Sequence, residues 1–302
     1  MKDIIIIGAG PAGLTAALYG ARAGCDVSVF ESFSPGGQVM ATPEIENYPG
    51  FINISGFDLA MKLHEQVEKL NVDFKYENVT SIKECKGGFI VNGEQNSYET
   101  KTVIIATGAK RRLLDVKGES EFTGRGVSYC ATCDGNFFKG LTAAVVGGGN
   151  TAVEDALYLA NICKKVYLVH RRNEFRASKV LVERLKKATN IEIKYSCVPI
   201  EICGDHKVSK VVLKNVLTET VEEIETDAVF VAIGTLPNNS VVPEGAKLDA
   251  GGHIITDEHC MTDIGGLFAI GDVRNTPLKQ VITAAADGAV AANYASEYIN
   301  KI

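Results

Sequence analysis

Cys130-Ala131-Thr132-Cys133-Asp134 is the stretch of this 302-residue chain with the most explicit chemistry. Two thiols separated by two residues can close into a disulfide and reopen, and such pairs can hold a thiol well below its ordinary pKa. A structural zinc site would need two further ligands, usually a second close pair. The other cysteines, Cys25, Cys85, Cys163, Cys197, Cys203 and Cys260, are scattered. The pair therefore reads as a redox dithiol, with no metal set. Asp134 follows at once. A carboxyl beside a thiolate can carry the proton that dithiol chemistry requires. A turn or N-cap role before Gly135 fits the same residue.

The dithiol lies between two glycine-rich fingerprints. Gly8-Ala9-Gly10-Pro11-Ala12-Gly13 follows the apolar run Ile4 to Ile7, and Gly147-Gly148-Gly149-Asn150-Thr151-Ala152 follows Ala143 to Val146. Each reads as strand, tight turn and helix, the context in which such glycines cradle a dinucleotide. The turn brings backbone close to a pyrophosphate, which sits at the helix N-terminus among unpaired N–H groups. Glu31 ends a second strand 23 residues after Gly8 and is placed to accept hydrogen bonds from an adenosine ribose. His170 stands 23 residues after Gly147, with Arg171, Arg172 and Arg176 behind it. Arginines bind a ribose 2′-phosphate that an acid would repel, so the second site is expected to take NADP(H).

These elements repeat at domain scale. Each unit closes on a strand capped by glycine: Thr102 to Gly108, and Asp227 to Gly234. The second unit is expected over residues 113–244, inserted into a first domain made of 1–112 and 245–302. The crossings fall near Lys110-Arg111-Arg112 and in 235–245, which carries Pro237 and Pro243. The last segment supplies a strand at Gly266 to Ile270, then Gly271-Asp272 and an alanine-rich helix from Thr283 to Ile299. The fold class is α/β, with two Rossmann-like dinucleotide-binding domains, one inserted into the other.

Composition excludes several classes. The formal net charge is −6, without a basic cluster suited to nucleic acid. Residues 4–21 carry no charge, yet their glycines fall at fingerprint spacing and no signal-peptide pattern precedes them. No other stretch suits a membrane span. Scattered cysteines fit a reducing compartment, so a cytoplasmic location is expected.

Taken with Gly36-Gly37-Gln38, Glu46 to Gly50, His170 to Ala177, Gly271-Asp272-Val273 and Lys279-Gln280-Val281, these motifs resemble the bacterial-type, low-molecular-weight thioredoxin reductases over nearly the whole chain. The resemblance implies FAD in the first domain and NADPH in the second. It implies that Asp272 contacts the flavin ribityl or phosphate region, and that Gln280, with Lys279 and Val281 at the following helix start, faces the isoalloxazine. Gly36, Gly37, Gln38 and Asn47 would line the same cofactor, and Gly108 and Gly234 belong to the nucleotide sites. It further implies that Cys133 lies against the flavin, Cys130 attacks the disulfide of thioredoxin or a thioredoxin-like protein, and Asp134 is the acid. A homodimer whose domains swing is implied as well. Lys279 departs from a more common arginine, and Asn150-Thr151 from a more usual polar pair. Ferredoxin-fed relatives lose the second fingerprint and its arginines, which this chain keeps, and an oxygen-using dithiol oxidase is disfavoured on the same ground. A ferredoxin–NADP oxidoreductase would have no use for the cysteines. A redox-sensing flavoprotein without turnover would hold flavin that NADPH fails to reduce.

Overall fold

Ile4 to Ile7 offer apolar side chains to both faces of any strand they form, which suits a strand covered on both sides. In the computed structural model, which describes residues 1–42 and 44–301, they lie in the strand Lys2–Ile7 and all four are buried. The chain divides into two units, Met1–Lys110 with Leu236–Ile302, and Arg111–Thr235.

In the first unit Lys2–Ile7 pairs in parallel with Val27–Glu31 on one side and Ser97–Ile105 on the other. Asp73–Tyr76 extends the sheet past Val27–Glu31, and Leu267–Ala269 joins Ser97–Ile105 in parallel. The antiparallel strands Gly88–Gly93 and Val79–Cys85 continue the sheet to seven strands. Leu267–Ala269 thus brings the C-terminal segment back to complete the first sheet.

Two helices cover one face. Pro11–Arg22 starts with proline at its first turn, where the missing N–H costs nothing. Val281–Ile299 packs against it. A Cβ on Gly288 would stand 2.3 Å from the Ala12 carbonyl oxygen. Buried Ala16 and Ala17 face buried Ala291, Ala292 and Ala295 within one core cluster. The alanine-rich composition is therefore a packing requirement, since larger side chains would hold the helices apart. The last helix begins at Val281, two residues earlier than its alanine pattern suggested, because Gln280 and Thr283 form a reciprocal capping box.

The second unit repeats the plan. Thr142–Gly147 lies between Lys165–His170 and Ala228–Ala232, all parallel. Ile191–Tyr195 and Val127–Ser128 take the two edges. The helix Asn150–Ala160 follows the central strand, as Pro11–Arg22 does in the first unit. The inferred duplication of a Rossmann-like plan is present in both sheets. Cys197–Gly204, Val208–Asn215 and Val221–Glu225 form a separate antiparallel sheet. The uncharged run 4–21 is strand, turn and helix. No described helix is long and apolar enough to cross a membrane.

Candidate nucleotide and disulfide sites

The first fingerprint turns on Gly8, whose φ of 105° an L side chain resists and whose Cβ would stand 2.5 Å from the Ala106 carbonyl oxygen. The helix then starts at Gly10 with no side-chain cap, and a Cβ on Gly10 would meet no atom within 4 Å. An open glycine at an uncapped helix start fits a pyrophosphate, which the first-turn N–H groups can receive. Glu31 braces the turn: Oε2 accepts from the Ala9 N–H at 2.9 Å and Oε1 from the Phe33 N–H at 3.1 Å. The Gly36 N–H donates to the Ala9 carbonyl at 2.7 Å, and Gly37 lies against Gly10. The turn at Gly36-Gly37 therefore sits beside the cradle.

Residues far apart in sequence meet around it. The Asn47 amide donates to Gln280 Oε1 at 3.1 Å. The Gln38 amide donates to the Ala109 carbonyl, one residue from Gly108. Gly271 packs beside Ala12, which places the Gly271–Val273 turn next to the fingerprint helix. Lys279 Nζ donates to the Asp272 carbonyl at 2.8 Å and the Arg274 carbonyl at 3.3 Å. Burial pulls the Lys279 ammonium below the usual lysine pKa. Sequence reasoning missed the brace behind this turn. Asp287 accepts from the Gly271 N–H at 3.0 Å and pairs with Arg274 at 2.8 Å, both side chains largely buried. The pairing residues are 13 apart, without a local pattern to betray them.

In the second unit the helix Asn150–Ala160 also starts on an uncapped glycine, Gly149, with open space where a Cβ would point. Gly147 must be small: a Cβ there would stand 2.4 Å from the Ala232 carbonyl oxygen. His170 is buried, and its ring lies so close to Gly148 that a Cβ on Gly148 would stand 2.0 Å from the ring carbon Cε1. The ring stacks on Phe175 at 5.0 Å, with Nε2 2.8 Å from the Glu174 carbonyl oxygen. The Arg176 N–H donates to the Gly148 carbonyl at 2.8 Å, and the Ser178 N–H donates to Asn150 Oδ1 at 2.8 Å. The arginine loop is thereby tied to the glycine cradle at three points. Arg171, Arg172 and Arg176 are exposed, and none forms an ion pair among the described residues. Thr151 is exposed on the first turn of the helix. Gly234, with φ 97°, ends the segment after Ala228–Ala232 and accepts from the Arg112 N–H at 3.2 Å.

The dithiol occupies the same unit. Cys130 and Cys133 are bonded to each other, with Cα atoms 5.3 Å apart. Ala131–Asp134 forms one helical turn, anchored by buried Ala131, and the Asp134 N–H donates to the Cys130 carbonyl at 3.1 Å. Cys130 Sγ lies 3.4 Å from Thr132 Oγ1. Ser128, which no motif singles out, donates to Asp134 Oδ2 at 2.6 Å and accepts from the Cys130 N–H at 3.1 Å. Phe137 is exposed a few residues on.

The sequence pattern of the pyridine nucleotide-disulphide oxidoreductases matches residues 2–288. The chain belongs to that family. It is 42% identical to a thioredoxin reductase of Treponema pallidum, over 99% of this chain and 98% of the relative. It is 43% identical to one of Peptoclostridium acidaminophilum, over 98% and 96%. The solved thioredoxin reductase of Streptococcus pyogenes superposes with a TM-score of 0.93 at 47% identity, covering 100% of this chain and 99% of that one. The protein is a disulfide oxidoreductase that uses FAD and NADPH. The two open glycine cradles, one of them beside exposed arginines, fit two dinucleotides.

Asp155, on the second fingerprint helix, also escaped sequence reasoning. Burial, with Glu154 adding, pushes its carboxyl up to about 7. Unfolded, it has the ordinary value of 3.8. The folded chain therefore keeps a proton that the unfolded chain releases, and this group's contribution to stability falls as pH rises from about 4 to 7. Asp155→Asn removes that penalty. It is expected to raise stability at pH 8 by about 2–4 kcal/mol and to change little at pH 4, read from denaturant midpoints. Equal effects at both pH values would contradict a titration origin.

Proposed function

We propose that this chain is an NADPH-dependent thioredoxin-disulfide reductase, passing electrons through FAD to Cys130–Cys133 and on to thioredoxin or a thioredoxin-like protein. The observation that carries the reading is the bonded Cys130–Cys133 pair in the same unit as an open glycine cradle and three exposed arginines that form no ion pair among the described residues. In this reading the unit Met1–Lys110 with Leu236–Ile302 holds FAD and the unit Arg111–Thr235 holds NADPH, so the second crossing falls nine residues before the 244/245 boundary expected from the sequence. Bound flavin supplies the two-electron chemistry that links a hydride donor to a disulfide.

The chain's own residues do the rest. Gly8, Gly10, Pro11, Ala12 and Gly13 present a helix start to the FAD pyrophosphate, and Glu31 accepts from the ribose while bracing Ala9. The Asn47–Gln280 bond and the Lys279 contact to Asp272 hold the flavin surroundings in place. Arg171, Arg172 and Arg176 receive the 2′-phosphate of NADPH. His170 acts from beneath Gly148, fixing the arginine loop to the cradle. Cys130, once reduced to a thiolate, displaces one sulfur of the partner disulfide to form a mixed disulfide. Cys133 then attacks Cys130 Sγ, releasing the second partner sulfur and restoring the Cys130–Cys133 bond. Asp134 carries the proton between these steps. The working form is a homodimer in the cytoplasm.

The test is NADPH oxidation driven by oxidised thioredoxin. One partner disulfide should yield two thiols per NADPH consumed. Flavin that NADPH reduces without any thiol appearing on thioredoxin would reject the partner.

A further inference from the structure

Val127–Ser128 is an edge strand of the second sheet, with Ser128 in register with Phe230. Ser128 is 6% exposed, two residues before the redox pair. Its hydroxyl donates to Asp134 Oδ2 at 2.6 Å, and the same oxygen accepts from the Cys130 N–H at 3.1 Å. A hydroxyl has one hydrogen to give and two lone pairs to receive, so both bonds hold together. The Cys130 carbonyl, at 3.4 Å, is a second acceptor for that hydrogen. The carboxylate is nearer and charged, and takes it. One buried oxygen thus joins the sheet, the backbone of Cys130 and the carboxyl of Asp134.

We propose that Ser128 is a positioning residue of the dithiol site, holding the Asp134 carboxyl in register with Cys130 while the disulfide opens and closes. This rests on the reading of Asp134 as proton carrier. The chemistry begins with a Cys130 thiolate, a Cys133 thiol and the Asp134 carboxylate. Cys130 attacks one partner sulfur; the Cys130–partner bond forms, the partner disulfide breaks, and one partner thiolate leaves. The carboxylate takes the proton of Cys133, and the Cys133 thiolate attacks Cys130 Sγ. The Cys130–Cys133 bond forms, the second partner sulfur leaves as a thiolate, and one of the two partner thiolates takes the proton from Asp134. The chain's dithiol is oxidised by two electrons and the partner is reduced by two. Asp134 ends as the carboxylate it began as, and the Ser128 hydroxyl keeps that carboxylate in one place. A carboxyl on a single helical turn samples several rotamers, and the bond to a buried, sheet-anchored hydroxyl restricts it to one of them.

The test measures single-turnover transfer from the NADPH-reduced holoenzyme to oxidised thioredoxin. Flavin bleaching by NADPH is followed in the same preparation. Loss of a hydrogen bond to a charged group predicts that Ser128→Ala slows thiol transfer about 10- to 100-fold, with bleaching and the KM for thioredoxin unchanged. Ser128→Thr and Ser128→Val share a shape and differ by the hydroxyl, so they carry the test if alanine disturbs the fold. Threonine is expected to restore most of the rate and valine none. In the Asp134→Asn background, Ser128→Ala is expected to add little, since both act through one carboxyl. A wild-type transfer rate in Ser128→Ala beside a slow Asp134→Asn overturns the proposal and leaves the proton carrier standing. So does a full Ser128→Ala effect in the Asp134→Asn background. A wild-type rate in Asp134→Asn rejects the proton carrier itself, and the proposal with it.

Discussion

Cys130→Ser and Cys133→Ser each abolish thioredoxin reduction while NADPH still bleaches the flavin. The loss is expected to exceed about 10⁴-fold, since a serine hydroxyl is neither a thiolate nucleophile nor able to form the disulfide. The two variants fail at different points. Without Cys130 nothing attacks the partner. Without Cys133 the mixed disulfide on Cys130 is not resolved, and a trapped covalent complex with thioredoxin should appear on a non-reducing gel. The double variant is expected to be no worse than either single one, because the pair acts as a unit. Residual turnover within tenfold of wild type in either single variant would mean that electrons leave by another route.

The second large effect concerns nucleotide choice. Arg171→Ala combined with Arg172→Ala is expected to raise the KM for NADPH about 100-fold and leave NADH unaffected, so the preference between them nearly disappears. Each charge-assisted bond to a phosphate is worth about 1.5–3 kcal/mol, and exposure places these two at the lower end. The exposed guanidinium groups form no competing ion pair among the described residues, so little of that energy is diverted within the chain. Raising the salt concentration should erode the wild-type preference by screening the same contacts. Equal loss with both nucleotides would point instead to collapse of the cradle. His170→Ala is the variant in which that collapse is expected, given how the ring supports Gly148.

Much of this was legible in the chain because the signals are local. Ile4 to Ile7 before Gly8 and Ala143 to Val146 before Gly147 carry strand, turn and helix within a dozen residues each, and the structure places those elements accordingly. The Cys130–Cys133 spacing is equally local, and the sulfurs are bonded. What escaped depends on contacts across sequence. His170 aligns with Glu31 by offset, yet Glu31 braces Ala9 through its carboxylate while the His170 ring lies against Gly148. Only the three-dimensional turn distinguishes the two. Ser128 is one serine among many until the helical turn of Asp134 folds back on it. Asp287 and Arg274 lie in a helix and a turn, and what joins them is the approach of the last helix to the Gly271–Val273 segment. The start of that helix at Val281 was hidden because glutamine is an uncommon N-cap, and the bond from Thr283 that completes the cap is reciprocal.

The most direct test of the account is an anaerobic mixing experiment with the purified holoenzyme. Flavin absorbance is followed after addition of NADPH or NADH, and free thiols are counted at the end. The account predicts fast bleaching with NADPH, slow bleaching with NADH, and the appearance of two new thiols in wild type that Cys130→Ser and Cys133→Ser do not gain. An absence of bleaching with either nucleotide would contradict it, since the second glycine cradle and its arginines would then have no electron donor to hold.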